Sequence, residues 1–118
     1  MKFDVMDIGG EVIKDNETYI LKDNKLLNNL VLSSTQLHPG QTTRGHKHEG
    51  QEEVYYFVKG AGTMWLDEKE ISVKFKEDTE GTEHQKGFLS ELFYFEGSMN
   101  FTYSGVYKNM EKVTCNSV

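Results

Sequence analysis

The stretch GHKHEGQEEVYYFV, residues 45–58, places His46 and His48 one residue apart and follows them, across Gly50, with Glu52 and Glu53. On a strand, residues i and i+2 point to one side, so the two imidazoles present themselves together. Gly50 permits a tight reversal, and a next strand opening near Glu52 or Glu53 lays a carboxylate beside the pair. Along that strand Glu53, Tyr55 and Phe57 share one face, and Glu52, Val54, Tyr56 and Val58 share the other. One glutamate therefore joins the histidines, and alternation alone leaves either choice open. Two imidazoles and a carboxylate hold one face of a divalent transition metal and leave positions for substrate or dioxygen. Nitrogen donors must sit about 2.0–2.1 Å from a zinc-like ion, which calls for a rigid frame such as paired strands.

The elements that would supply this frame are short, β-rich runs: TYIL near Tyr19, LVL near Val31, VYYFV from Val54, TMWL around Trp65, ISVKF from Ile71, FLSELFYF from Phe88 and NFTYSGVY from Asn100. Turn signals separate them, among them Asn16–Glu17, Asp23–Asn24, Pro39–Gly40, Gly60–Gly62 and Asp67–Glu68. The pattern predicts an all-β, antiparallel sandwich or small barrel, whose closure removes exposed edges and leaves room for one small ligand. At 118 residues the chain is a single domain, able to bury a core without disulfides or a structural metal, so a bound metal is expected to be functional. A net charge of −6 with no basic stripe argues against nucleic acid. No apolar run approaches a membrane span, and the first residues lack a secretory signal, so the expectation is a cytoplasmic protein with no membrane partner. The single cysteine, Cys115, excludes an intrachain disulfide and reads as a free surface thiol in a polar tail. VYYFV is apolar on both faces, so something must cover its outer side. The N-terminal strands or a second subunit would do so, and a homodimer is expected.

Counting from Gly40, the chain runs Gly, five residues, His46, one residue, His48, four residues, Glu53, six residues, Gly60. In this spacing GQTTRGHKHEGQEEVYYFVKG resembles the complete first motif of the cupin family. The resemblance implies Glu53, rather than Glu52, as the carboxylate ligand. The family's second motif contributes one more histidine, and Gly81 followed by His84 in EGTEHQKGF matches its core. This chain departs there, with Val73 and Lys74 where Gly-Asp is usual, Thr79 where proline is usual and Phe88 where asparagine is usual. The resemblance spans residues 30–104 as the conserved-barrel core, with N-terminal strands in 1–29 that could take part in dimerisation and a C-terminal strand and tail in 105–118. It implies an antiparallel double-stranded β-helix, or jelly-roll barrel. It also implies one divalent transition metal (iron, manganese, zinc or nickel) held by His46, His48, Glu53 and His84.

Around that site Tyr55 is the expected proton carrier, with Glu53 the other catalytic candidate. If Glu53 ligates the metal it is a poorer base. Phe57 faces the same interior, Gln36 is expected to line the pocket, and Arg44 is the cation that would grip a substrate phosphate or carboxylate. Trp65 and residues 93–95 are expected to fill the barrel or an interface, and His38, before Pro39 in a turn, to be structural. By resemblance the chain is most similar to small cupins that isomerise or epimerise sugar phosphates or related small polar metabolites. In these the metal stabilises an enediolate. A non-haem iron dioxygenase is the second expectation, and a non-enzymatic cupin binding a metabolite or metal the third.

Overall fold

A computed structural model of the chain describes residues 2–47, 51–74, 91–100 and 110–116. Nine strands lie among them: β1 (Glu11–Asp15), β2 (Tyr19–Asn24), β3 (Leu30–Leu37), β4 (His46–Lys47), β5 (Gln51–Lys59), β6 (Ala61–Leu66), β7 (Lys69–Lys74), β8 (Leu92–Asn100) and β9 (Met110–Cys115). They form a five-stranded sheet in the order β1-β2-β3-β8-β5 and a four-stranded sheet in the order β4-β9-β6-β7. Every pairing is antiparallel. Because β3 pairs with β8 and β4 with β9, each sheet joins distant parts of the chain. This is the jelly-roll arrangement expected from the sequence.

Alternation decides what each face meets. Along β5, Glu52, Val54 and Tyr56 are exposed while Glu53, Tyr55 and Phe57 are half-buried. The core between the sheets is built from Leu37, Met64, Leu92, Tyr94, Val113 and Cys115, with Tyr19, Tyr55, Phe57, Leu66 and Val73 packed around them. Leu37 and Leu92 are wholly buried, each contributing about 2 kcal/mol by removal from water. A second cluster, Ile8, Phe93 and Phe95 with Leu32 and Val58, lies on the other face of the five-stranded sheet. The run Phe93-Tyr94-Phe95 is apolar on both sides for this reason, and of the three only Tyr94 enters the barrel. The N-terminal segment is tied over the outer face: Asn24 Nδ2 donates to the Ile8 carbonyl at 2.7 Å, and Phe3 meets Phe95 edge-on at 5.4 Å.

One expectation is corrected here, and one of the two alternatives for Trp65 is excluded. Cys115 is not a surface thiol but is buried at 1% exposure in the core, at the end of β9, where it acts as a small apolar side chain. Burial raises its thiol pKa. Trp65 does not fill the barrel. It pairs with Lys112 across β6 and β9, on the face opposite Met64 and Val113, and the Lys112 ammonium sits 5.2 Å from its ring centroid. The turn between β5 and β6 depends on Gly60, which adopts φ +91° and whose absent side chain lets Leu92 Cα approach to 2.9 Å of the place a Cβ would occupy.

Candidate metal centre

Glu53 stands on the inner face of β5, in register with Ser98 of β8. Both its carboxylate oxygens are shielded from solvent, whereas Glu52 is exposed on the other face. Burial thus separates two glutamates that alternation alone could not. Glu53 is also the only expected ligand whose side chain is described. His46 is described by its backbone, paired in β4 with Glu111 of β9. His48 and His84 lie outside the described residues. Among the described residues no group of three His, Cys, Asp or Glu side chains is assembled for a metal.

Beyond Glu53 the inner face becomes aromatic. Tyr55 and Phe57 stack at 6.3 Å between centroids, Tyr55 and Tyr94 are tilted at 5.7 Å, and Phe57 and Tyr94 at 5.1 Å. Tyr94 is buried, and its phenol is pushed well above the usual tyrosine range, first by desolvation, against a hydrogen bond with Thr35, with Glu96 adding to the rise. Glu96, two residues beyond Tyr94 on β8, shares its face by alternation. In register across the sheet, Tyr55 pairs with Glu96, Glu96 with Ser33, and Ser33 with Asp23. Ser33 Oγ donates to Asp23 Oδ1 at 2.7 Å. The inward-facing described residues of β2, β3, β5 and β8 thus include Glu53, Glu96 and Asp23, and no lysine or arginine.

Phe57 lies on this inner face as expected. Gln36 does not: it pairs with Phe93, on the outer face, and its Nε2 donates to Glu91 Oε1. The expectation that it lines the pocket is corrected by one step of alternation from the buried Leu37. Arg44 is exposed. His38 closes a cluster that sequence reasoning missed, with Nδ1 2.6 Å from Glu91 Oε2. Gln36 and His38 therefore clamp both oxygens of Glu91, just before β8. Tyr94, Glu96, Asp23 and Ser33 were also missed. Their signal was the alternation of β8 and β2, readable only once the partner strands are known.

Residues 34–77 match the family model for the cupin domain, a stretch containing His46, His48 and Glu53 and ending before His84. No curated protein sequence matches the chain. Among solved structures the chain is similar to a predicted oxalate decarboxylase from Thermotoga maritima, at 18% identity over 98% of this chain and 99% of that one, with a TM-score of 0.50. It is also similar to KdgF from Halomonas sp. (12% identity, 90% and 88% covered, TM-score 0.49) and to a cupin superfamily protein from Desulfitobacterium hafniense DCB-2 (8% identity, 90% and 84% covered, TM-score 0.46). The match of residues 34–77 to the cupin-domain model and the antiparallel two-sheet fold around that stretch agree with each other.

Proposed function

We propose that the barrel binds one divalent transition metal through His46, His48, Glu53 and His84 and uses it to isomerise a small polar metabolite by proton transfer. The observation that carries this reading is the placement of Glu53: a carboxylate withdrawn from water, on the same face as Tyr55 and Phe57. A carboxylate and imidazoles form a donor set suited to iron, manganese, zinc or nickel. When bound, such an ion supplies Lewis acidity to a carbonyl and its neighbouring hydroxyl.

The remaining work falls to the chain. Tyr55, two residues beyond Glu53 on the inner face, has its ring braced by Phe57 and Tyr94, which orients its phenol. Its Oη is the group that would move a proton between adjacent substrate carbons. Tyr94 is unsuited to that role, because burial and the Thr35 hydrogen bond hold its phenol protonated and occupied. Phe57 shields one side from water. The acids Glu53, Glu96 and Asp23 on the inner face disfavour a phosphate or carboxylate ligand by like-charge repulsion. An uncharged hydroxy-carbonyl compound, such as a free sugar or sugar-like ketol, suits this wall better than a sugar phosphate.

Metal analysis of purified wild type beside Glu53→Gln and Glu52→Gln tests the ligand assignment. Glu53→Gln should lose most of its metal and Glu52→Gln should keep it; equal content in all three removes the site. Tyr55→Phe should retain metal while losing isomerisation of hydroxy-carbonyl substrates under argon. Turnover that requires oxygen would point instead to dioxygenase chemistry.

A further inference from the structure

Residues 38–45 leave β3 after the wholly buried Leu37 and cross from the five-stranded sheet to the four-stranded one, running along β9 into β4. Backbone bonds hold them there at intervals. Gly40 N–H donates to the Cys115 carbonyl at 3.2 Å, Cys115 N–H to that of Gln41 at 3.0 Å, and Thr43 N–H to that of Val113 at 2.9 Å. Side chains add two contacts, with Val113 N–H donating to Thr43 Oγ1 at 3.0 Å and Thr42 Oγ1 meeting Thr114 Oγ1 at 2.9 Å. Burial adds little, since each of these residues is half-buried or exposed. A segment fastened by hydrogen bonds over a packed core belongs to the low-stability end of a fold. Its root is fastened by a charge: His38 Nδ1 lies 2.6 Å from Glu91 Oε2, while Gln36 Nε2 donates to the other oxygen. Glu91 is itself fixed, because its carbonyl packs against Gly60 where a side chain would otherwise stand. Beneath the segment lies Cys115, whose thiol faces the N–H groups of Gly40 and Leu92.

We propose that residues 38–45 are a strap, hooked to Glu91 at His38, that opens as one unit while the barrel stays folded and, when closed, seats the β4 backbone at His46. Only the seating of His46 rests on the metal reading above. The hinge follows from burial: Leu37 anchors the start of the strap, whereas Pro39, Gly40, Thr42 and Arg44 are exposed. Hydrogen bonds to a carboxylate are roughly twice as strong as neutral ones, so Glu91 is the side chain whose loss loosens the strap most. Opening uncovers the Cys115 thiol at Gly40 and frees the amides of Gly40, Thr43 and Cys115 together. Leu37, Leu92 and Val113 stay packed in the core meanwhile. A metal that requires His46 to be seated and a closed strap favour one another, and that coupling is reciprocal.

Amide hydrogen exchange and labelling of Cys115 by a thiol reagent, both on the metal-free full chain, read the opening. In wild type the Gly40, Thr43 and Cys115 amides should exchange together and well ahead of those of Tyr94 and Phe95 in β8. Labelling should depend little on urea below the unfolding transition, because a local opening exposes little surface. Glu91→Gln should speed the strap amides and the labelling about tenfold, a neutral amide having replaced the charged acceptor, while Tyr94 and Phe95 exchange as before. Thr42→Val, at an exposed position, should speed the same three amides by a smaller factor. Strap and core amides that shift together, or wild-type labelling that follows global unfolding, overturn the proposal. Zinc separates it from the metal reading: bound zinc should slow the three amides in wild type but not in Glu53→Gln. Zinc that binds and leaves them unchanged overturns the seating of His46. A protein that takes up no zinc sinks the metal reading alone, and the metal-free exchange still decides the strap.

Discussion

Gly62 and Gly97 both sit inside strands of the barrel, yet the structure assigns opposite outcomes to replacing them with alanine. In β6, Gly62 is buried where β9 comes closest. A Cβ there would run into the Thr114 carbonyl oxygen and lie 3.1 Å from its carbon and 2.9 Å from Leu92 Cδ2. Carbon atoms prefer about 3.5–4.0 Å, so β6 and β9 must part by roughly half an ångström or more. Backbone is on one side of the clash and the wholly buried Leu92 on the other, and neither yields easily. Overpacking of this kind costs about 1–3 kcal/mol, and weakening one ladder hydrogen bond adds about 1 kcal/mol. Gly62→Ala should therefore lose about 2–4 kcal/mol, a fall in Tm of roughly 8–16 °C for a domain of this size. At Gly97 in β8 the nearest atom to an added Cβ is Leu30 Cδ1 at 3.8 Å, an ordinary contact. Gly97→Ala should leave Tm unchanged or raise it slightly, because alanine loses less backbone entropy on folding. Thermal and urea unfolding of the two variants read this directly. Equal losses at both sites would refute the reasoning, since strand propensity rather than the β6–β9 approach would then control the result.

Cys115 should react with a thiol reagent at mildly alkaline pH only as fast as the barrel opens, and denaturant should release the reaction; immediate labelling would contradict its burial. Its raised pKa also has a pH consequence. The folded state keeps the proton after the unfolded thiol begins to lose it near 9.0, so the stability it contributes is present below that pH and falls as pH rises through it. Cys115→Val should flatten this alkaline decline in pH-dependent urea unfolding. Tyr94→Phe removes a buried hydroxyl hydrogen-bonded with Thr35 and should cost about 1 kcal/mol while leaving metal content unchanged. Metal should leave the protein as pH falls through the histidine range, because a protonated imidazole cannot ligate; full retention at pH 4 would argue against imidazole ligands.

What the sequence made legible was local. The split of β5 into Glu53-Tyr55-Phe57 and Glu52-Val54-Tyr56 follows from a period of two, and the observed burial repeats it residue by residue. The errors arose where a residue's environment depends on a distant strand. Trp65 and Met64 are both apolar neighbours on β6, and only the pairing with β9 shows that Met64 meets Val113 inside while Trp65 meets Lys112 outside. Cys115 looked like part of a tail because MEKVTC mixes charge with few apolar residues. Its inward positions, Val113 and Cys115, alternate correctly but are too few to mark how far the expected C-terminal strand runs. Gln36 and His38 could not be matched with Glu91, more than fifty positions later, until β3 and β8 were seen side by side.

The same dependence on distant strands shapes the candidate site. Glu53 belongs to the five-stranded sheet and His46 to the four-stranded one, so two proposed ligands only seven positions apart in sequence are supported by different sheets. Their separation is governed by what packs between those sheets, namely Leu37, Met64, Leu92, Tyr94 and Val113, rather than by the short connection joining them. A core substitution such as Met64→Ala creates a cavity worth about 2–5 kcal/mol, and it should loosen metal binding as well as the fold. A substitution on the exposed face of β5 should do neither. If His46 and Glu53 hold one metal as proposed, its affinity reads the packing between the sheets, and a core variant that lost stability while holding metal as tightly as wild type would show that the two sheets do not share the site.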